Sequence, residues 1–172
     1  NPTVNFRGER RRNATHRSVT DPEARLARKG DGKPALLSHA GHVLMENRHG
    51  LCVGVLMTEA NGCAERDAVV PLLKQARGEG LTPRTLGLDK GYRAGPFLDR
   101  LEAKHHVLPH VPMPEGPVRG DGPEAEARRR ARRRMRQVGW ALSQQIRKRV
   151  EEIFGWMKTV GGLARAHTVG RW

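Results

Sequence analysis

Several features that define common protein classes are scarce or absent in this 172-residue chain. Only two cysteines occur, Cys52 and Cys63. A disulfide-stabilised secreted scaffold is therefore not expected, and a reducing cytosol fits better. No apolar run reaches the roughly 18 residues that a transmembrane helix needs. No apolar stretch near the start resembles a signal peptide. The sequence thus predicts a cytoplasmic protein with no membrane partner.

Acidic and aromatic residues are also few. The chain has 18 Asp and Glu against 32 Lys and Arg, a formal net charge of +14, and only 4% aromatic residues. Such a balance predicts a polyanionic partner, most naturally nucleic acid. A GC-rich genome that favours Arg, Ala and Gly explains part of the excess but not its clustering. Because the chain starts at Asn1 and stops abruptly at Trp172, it also reads as a piece of a longer protein.

Hydrophobic patterning predicts a mixed α/β layout in one domain. Residues 1–34, with the basic run at 10–12, are expected to be irregular. A Pro/Gly-rich and then Arg-rich insertion is expected at 112–139. The predicted elements are, in order, strands at 35–47 and 51–58 joined by a turn, a helix at 64–77, a strand at 84–89, a helix at 95–104, a strand at 106–111 and a long helix at about 140–160.

The most informative segment of that last helix is 147–158. Arg147, Glu151 and Lys158 fall within about 40° of one another on a helix. Gln144 lies near the same line. The apolar residues beside them form a separate stripe that we expect to be buried: Ile146, Val150, Ile153, Phe154, Met157 and Val160. A carboxylate between two cations beside a buried face suggests a site, although an ordinary Arg147–Glu151 ion pair would also fit.

Asp89 is the second candidate. It ends a predicted buried strand and precedes Lys90-Gly91-Tyr92, the position where α/β folds place active-site groups. Carboxylates that converge from a strand end and a helix suit hard cations such as Mg²⁺ or Mn²⁺. The plainer alternative is that Asp89 only caps a turn.

These residues resemble a known family. L-G-L-D-K-G-Y, together with R-x3-E-x6-K at Arg147, Glu151 and Lys158, resembles the DDE transposases of bacterial insertion sequences. Further similarity covers almost the whole chain: T-D-P-E-A-R-L at 20–26, G-H-V-L-M-E-N-R-H-G-L at 41–51, A-E-R-D-A at 64–68 and the segment 147–163. The resemblance implies an RNase H-like mixed sheet flanked by helices, two Mg²⁺ or Mn²⁺ ions, and cutting and joining of DNA strands.

Carried over residue by residue, Asp89 matches the second catalytic and metal-binding carboxylate, and Glu151 matches the third. Arg147 and Lys158 match the basic residues around that Glu, and Lys90 and Tyr92 are expected to contact DNA. Glu152 is the rival of Glu151, but it points about 100° away from the Arg147–Lys158 line. The family often has Tyr where this chain has Gln144.

The first family carboxylate has no counterpart here. The family carries it on a first strand, commonly as D-G-T, whereas Asp21 and Asp31 lack an apolar strand before them. The expectation is therefore a catalytic domain that lacks the first strand and is incomplete by itself. The family also implies DNA partners at the transposon ends and the target, a possible homodimer, and association with the bacterial nucleoid.

The arginine-rich tract is the predicted DNA-backbone contact. Such contacts bind phosphates without reading sequence and weaken steeply with salt. A disordered charged segment is the alternative. The residues assigned to DNA binding in this tract are Arg128, Arg129, Arg130, Arg132, Arg133 and Arg134.

Three further alternatives stay open at this point. His39, His42, His49 and Cys52 imitate zinc-ligand spacing, although His39 and His42 should point to opposite faces of a strand. Trp140 and Trp156 suit base stacking, but packing roles are favoured. The chain is also compatible with a non-catalytic nucleic-acid-binding remnant, or with an unrelated basic nucleic-acid-binding protein.

Overall fold

The computed structural model describes residues 5–6, 9–10, 12–28, 30–165 and 167–170. The expected mixed α/β class is confirmed. Two 3₁₀ turns, Lys90–Tyr92 and Arg147–Arg149, connect longer elements. Those elements are β1 (Asn5–Phe6), β2 (Glu9–Arg10), β3 (Arg25–Arg28), β4 (Ala35–Met45), β5 (Cys52–Glu59), α1 (Ala64–Gly78), β6 (Thr85–Gly87), α2 (Gly95–His105), β7 (Leu108–His110), α3 (Pro123–Arg134), α4 (Val138–Ile146) and α5 (Val150–Thr159).

The described strands form three separate sheets. β1 pairs with β2, β3-β4-β5 form an antiparallel sheet, and β6 pairs with β7 in parallel. The β4–β5 hairpin matches the expected strands, and its turn ends at Gly50 with φ of +75°, a conformation that favours glycine. The parallel pair follows from the crossover helix α2, which returns the chain to the same end of the sheet.

The expectation of an irregular segment at 1–34 is wrong for β3. Leu26 of β3 lies opposite Leu37, and the strand covers only the first four residues of β4. A four-residue run with two arginines has little strand signal of its own, so pairing with β4 decides its conformation. Of the basic run at 10–12, Arg11 lies outside the described residues.

Helices α1 and α2 cover the core. Leu73, Leu98 and Leu101 are completely buried there, as are Val107 and Val111 around the parallel pair. Helix α1 continues past Pro71 to Gly78. Helix α2 begins with Gly95-Pro96, as is typical of a first helical turn.

Helix α3 corrects the idea of a disordered arginine tract. Its Ala125, Ala127 and Ala131 are buried, and the helix packs against α2. The two helices cross tightly, because a Cβ on Gly95 would lie 2.8 Å from Glu124 Cβ. Small residues on both sides therefore turn a very basic segment into a packed helix.

The expected long helix at 140–160 is present from Val138 to Thr159, with the 3₁₀ turn Arg147–Arg149 inside it. Helix α4 packs on β6 and β7 before this turn, and α5 packs on β4 after it. The two halves thus contact two different sheets. The apolar stripe is not buried as expected: no residue of α5 is buried, and Trp156 and Val160 are 70% and 77% exposed.

The two tryptophans also differ. Trp140 is half-buried, and its Nε1 donates to the Val111 carbonyl at 3.4 Å, which is a packing role. The packing role favoured for Trp156 is wrong, because that side chain faces solvent. No helix in the described part of the chain is long and apolar enough to cross a membrane.

Candidate active site

A cavity of about 660 Å³ lies between β4 and β6. Residues 41–46 of the hairpin line one wall, and residues 84–89 line the other. These walls are strand edges that pair with no other described strand on the cavity side: β3 covers β4 only as far as Ser38, and β6 pairs with β7 alone. Apolar residues of α1 and α5, including Val69, Leu72 and Phe154, also line the cavity.

Asp89 enters this cavity from the end of β6. Its backbone is extended, and its Oδ1 accepts a hydrogen bond from the Gly91 amide at 2.6 Å. The carboxylate thus caps the following 3₁₀ turn, as the plainer interpretation expected, while still lining the cavity. The turn also presents Lys90 to solvent. Capping and site formation are therefore compatible roles of the same side chain.

Glu151 and Arg147 line the same cavity from the other side. Arg147 belongs to the 3₁₀ turn and Glu151 to the first turn of α5. Lys158 and Glu152 are not among the described residues that line the cavity, and both are exposed. Of the predicted set on the helix, Arg147 and Glu151 line the cavity that Asp89 also lines, and Lys158 does not.

Tyr92 is a half-buried member of the site. Its ring lies 5.8 Å from that of Phe97, centroid to centroid. Burial, and then the negative charges of Glu65 and Asp89, raise the pKa of Tyr92 well above its ordinary value. Its hydroxyl therefore stays protonated and can donate a hydrogen bond to an anion.

Sequence reasoning did not find the roles of two residues, Glu65 in the cavity and Gln144 outside its lining. Glu65, in the first turn of α1, lines the cavity, and its charge acts on Tyr92. Its only signal in the sequence was its position in the A-E-R-D-A segment. Gln144 was noted for its place near the Arg147–Lys158 line and as a departure from Tyr, but its hydrogen bonds to the ends of both parallel strands and to Arg147 were not expected.

Asp89 and Glu151 carry carboxylates, the ligand type that hard divalent cations prefer. Asp89 and Glu151 offer carboxylate oxygens at one water-accessible cavity, and such ligands suit Mg²⁺ or Mn²⁺. Within the described ranges, no group of three or more His, Cys, Asp or Glu is arranged to hold a metal ion. The cavity thus offers carboxylates of the type that such cations prefer, but no group of three or more such residues among the described ones is arranged to hold a metal ion.

The alternative zinc constellation has other contacts. His39 Nε2 lies 2.8 Å from Asp21 Oδ2, and this hydrogen bond lowers the pKa of Asp21. His42 Nε2 lies 2.8 Å from Thr58 Oγ1. The His49 ring faces Glu46. Each histidine thus has its own local partner, and the described residues do not bring them together as ligands.

Four of the six arginines of helix α3 form ion pairs. Arg130 Nε and Arg134 Nη1 each lie 2.6 Å from the Glu102 carboxylate of α2, and Glu102 raises the pKa of Arg130. Arg129 and Arg133 bond to Glu126 of their own helix. Arg128 and Arg132 have no acidic partner within the described part of the chain.

The family model for the transposase DDE domain matches residues 14–172. No curated protein and no solved structure matches the chain. The interpretation as an unrelated basic protein is therefore wrong. The match covers the paired strands, the turn that carries Asp89 and the helix that carries Glu151. The chain accordingly belongs to the transposase DDE domain family, whose members act in DNA transposition and generally use divalent metals.

Proposed function

We propose that this domain contributes Asp89 and Glu151 as two of the metal-binding carboxylates of a protein that cuts and joins DNA strands. The observation that carries this proposal is the shared cavity, since two acidic side chains far apart in the chain line it together with Arg147. An ordinary Arg147–Glu151 ion pair would not require Glu151 to line the same cavity as Asp89. When bound, divalent ions in such sites activate an attacking hydroxyl and stabilise the leaving oxygen.

The surrounding residues have roles that follow from their charge and position. Arg147 is placed to hold a phosphate oxygen through its guanidinium beside the carboxylates. Tyr92 offers a protonated hydroxyl from the same wall. Lys90 and Lys158, both exposed, are placed to attract the DNA backbone outside the cavity. Pairing of two copies on two DNA ends remains a prediction.

A non-catalytic DNA-binding remnant is the second candidate. The observation that favours it is that no group of three or more His, Cys, Asp or Glu among the described residues is arranged to hold a metal ion. For this reason we expect residues 1–172 alone not to nick supercoiled plasmid DNA in the presence of Mg²⁺ or Mn²⁺. Nicking that disappears in Asp89→Ala would show that two carboxylates suffice and would reject the remnant.

Metal binding is tested by paramagnetic broadening. Mn²⁺ added to ¹⁵N-labelled protein should broaden the Gly91 amide first, because that amide bonds to Asp89. We expect Asp89→Asn and Glu151→Gln each to weaken this broadening by at least about tenfold in Mn²⁺ concentration, since each removes an anionic ligand. Glu152→Gln is the matched control and should titrate like the wild type. Equal titrations for the wild type and Asp89→Asn would contradict the proposed site.

A further inference from the structure

Gln144 uses its whole side-chain amide in one network. Its Nε2 donates to the Leu88 carbonyl at 3.1 Å and to the His110 carbonyl at 2.5 Å. Its Oε1 accepts from Arg147 Nε at 2.9 Å. A carboxamide is the side-chain group that offers two N–H donors and an oxygen acceptor together. Only this orientation of the amide satisfies all three neighbours, because the two carbonyls cannot donate and the guanidinium cannot accept.

Two of the three partners, the Leu88 and His110 carbonyls, lie where the parallel ladder stops. The Leu88 amide donates to the His110 carbonyl at 3.0 Å, just beyond the last paired residues of β6 and β7. The Leu88 carbonyl belongs to the peptide bond that leads into Asp89. Gln144 therefore fixes the backbone that carries the candidate metal ligand, and it does so at the point where strand pairing no longer holds that backbone.

The approach of α4 to β6 makes this network possible. Gly87 has no side chain, and a Cβ there would lie 2.8 Å from Ser143 Oγ and 3.3 Å from the Ser143 carbonyl. Because Ser143 precedes Gln144, the missing Cβ brings the amide within reach of both strand ends. Arg147 follows one turn later and receives its orientation from the same amide.

We propose that Gln144 is a positioning residue of this site, which sets the relative placement of the Asp89 backbone and the Arg147 guanidinium. The proposal rests on the proposed metal-dependent function, but it concerns a residue that touches neither metal nor DNA. Tyrosine, with one hydroxyl, would not make the three bonds. Gln144 therefore contributes to the site through its hydrogen bonds within the protein.

The variant Gln144→Met keeps the length of the side chain and removes all three hydrogen bonds. Its exposed neighbour gives the matched control, Gln145→Met. We expect Gln144→Met to weaken Mn²⁺ broadening of the Gly91 amide by about 10- to 100-fold, the usual effect of losing a group that orients a metal ligand. The control should bind Mn²⁺ like the wild type. Indistinguishable Mn²⁺ titrations of the two variants would overturn the proposal.

A second measurement uses the wild-type protein and does not depend on how the variants fold. The side-chain amide hydrogens of Gln144 should exchange with solvent at least about tenfold more slowly than those of Gln145, because two buried carbonyls accept them. Equal exchange rates would overturn the proposal. If the wild type showed no Mn²⁺ broadening at Gly91, the proposed metal function would fail, while the exchange rates would still decide the placement of Gln144.

Discussion

Asp89 caps a turn and lines the cavity with the same side chain. Its Oδ1 caps the turn through the Gly91 amide, and the carboxylate also lines the cavity. An acidic residue is not needed for capping, since Asn caps about as well as Asp. The proposed cation site, in contrast, needs the negative charge. The capping role and the proposed metal role can therefore be separated by mutation.

We expect Asp89→Ala to lower the free energy of unfolding by about 0.5–2 kcal/mol, the usual cost of losing a cap. Asp89→Asn should change it by less than about 0.5 kcal/mol, because the amide oxygen still accepts from Gly91. Urea denaturation of both variants measures the difference. If both variants were equally destabilised, the capping bond would not be the reason for the loss.

At the scale of elements, α3 is a basic helix attached by a few acidic residues. Glu102 of α2 accepts from Arg130 and Arg134, and the side chains of Glu102 and Arg134 are only 10% and 11% exposed. Ion pairs on open surfaces contribute little, but removing one partner of a poorly solvated pair leaves the other charge uncompensated.

Glu102→Ala should therefore be strongly destabilising. We expect a loss of about 2–4 kcal/mol in the free energy of unfolding, because Arg134, only 11% exposed, then loses its carboxylate partner and Arg130 keeps only Asp99 at 3.5 Å. Glu115→Ala, in the exposed loop before α3, is the control and should have little effect. Thermal unfolding monitored by circular dichroism gives the comparison. A loss no larger than that of the control would show that the Ala-lined contact with α2 holds α3 alone.

The ion pairs of α3 also predict which of its arginines bind DNA, since an arginine without an acidic partner is free to contact phosphate. Arg132 lacks an acidic partner within the described residues, whereas Arg130 and Arg134 are committed to Glu102. Arg132→Gln should reduce the slope of log affinity against log salt by about 0.9, the contribution of one phosphate contact. Fluorescence anisotropy with a labelled duplex measures the slope, and Lys33→Gln, in the β3–β4 turn, is the control. An unchanged slope would remove Arg132 from the proposed DNA surface.

At the scale of the whole molecule, two buried histidines link stability to pH. Burial lowers the pKa of His42 below 6.5, and burial together with Arg134 lowers that of His110. The unfolded chain therefore binds protons that the folded chain does not. Stability should be constant above about pH 7 and should fall as the pH decreases below about 6.5, by at most about 1.4 kcal/mol per pH unit for each histidine.

Thermal unfolding between pH 7.5 and 5.5 tests this link. The unfolding temperature of the wild type should decrease across this interval, and His42→Gln should reduce the decrease, because Gln does not titrate. The carboxyl groups whose pKa is lowered, such as that of Glu46, lose their contribution only at lower pH. A pH dependence that His42→Gln leaves unchanged would exclude His42 as a source.

Local patterns predicted much of the architecture. The alternation of the hairpin, the glycine at its turn and the helical spacing of α1 and α2 are properties of short segments, and the structure agrees with them. Sequence patterns did not predict the conformation of segments that a neighbouring element stabilises. Strand β3 exists because β4 pairs with it, and α3 packs because Gly95 and three alanines allow close approach to α2.

The sequence by itself determined the family, the basic charge, the order of the elements from β4 to β7 and the choice of Asp89 and Glu151 as candidates. These depend only on residue types and their spacing along the chain. Only the tertiary structure decided that the C-terminal helix contains a 3₁₀ turn after α4, that Arg147 lines the cavity while Lys158 does not, and that Gln144 connects Arg147 to the end of β6. The physical reason is that helical periodicity describes one straight helix, whereas this chain packs its two halves on two separate sheets.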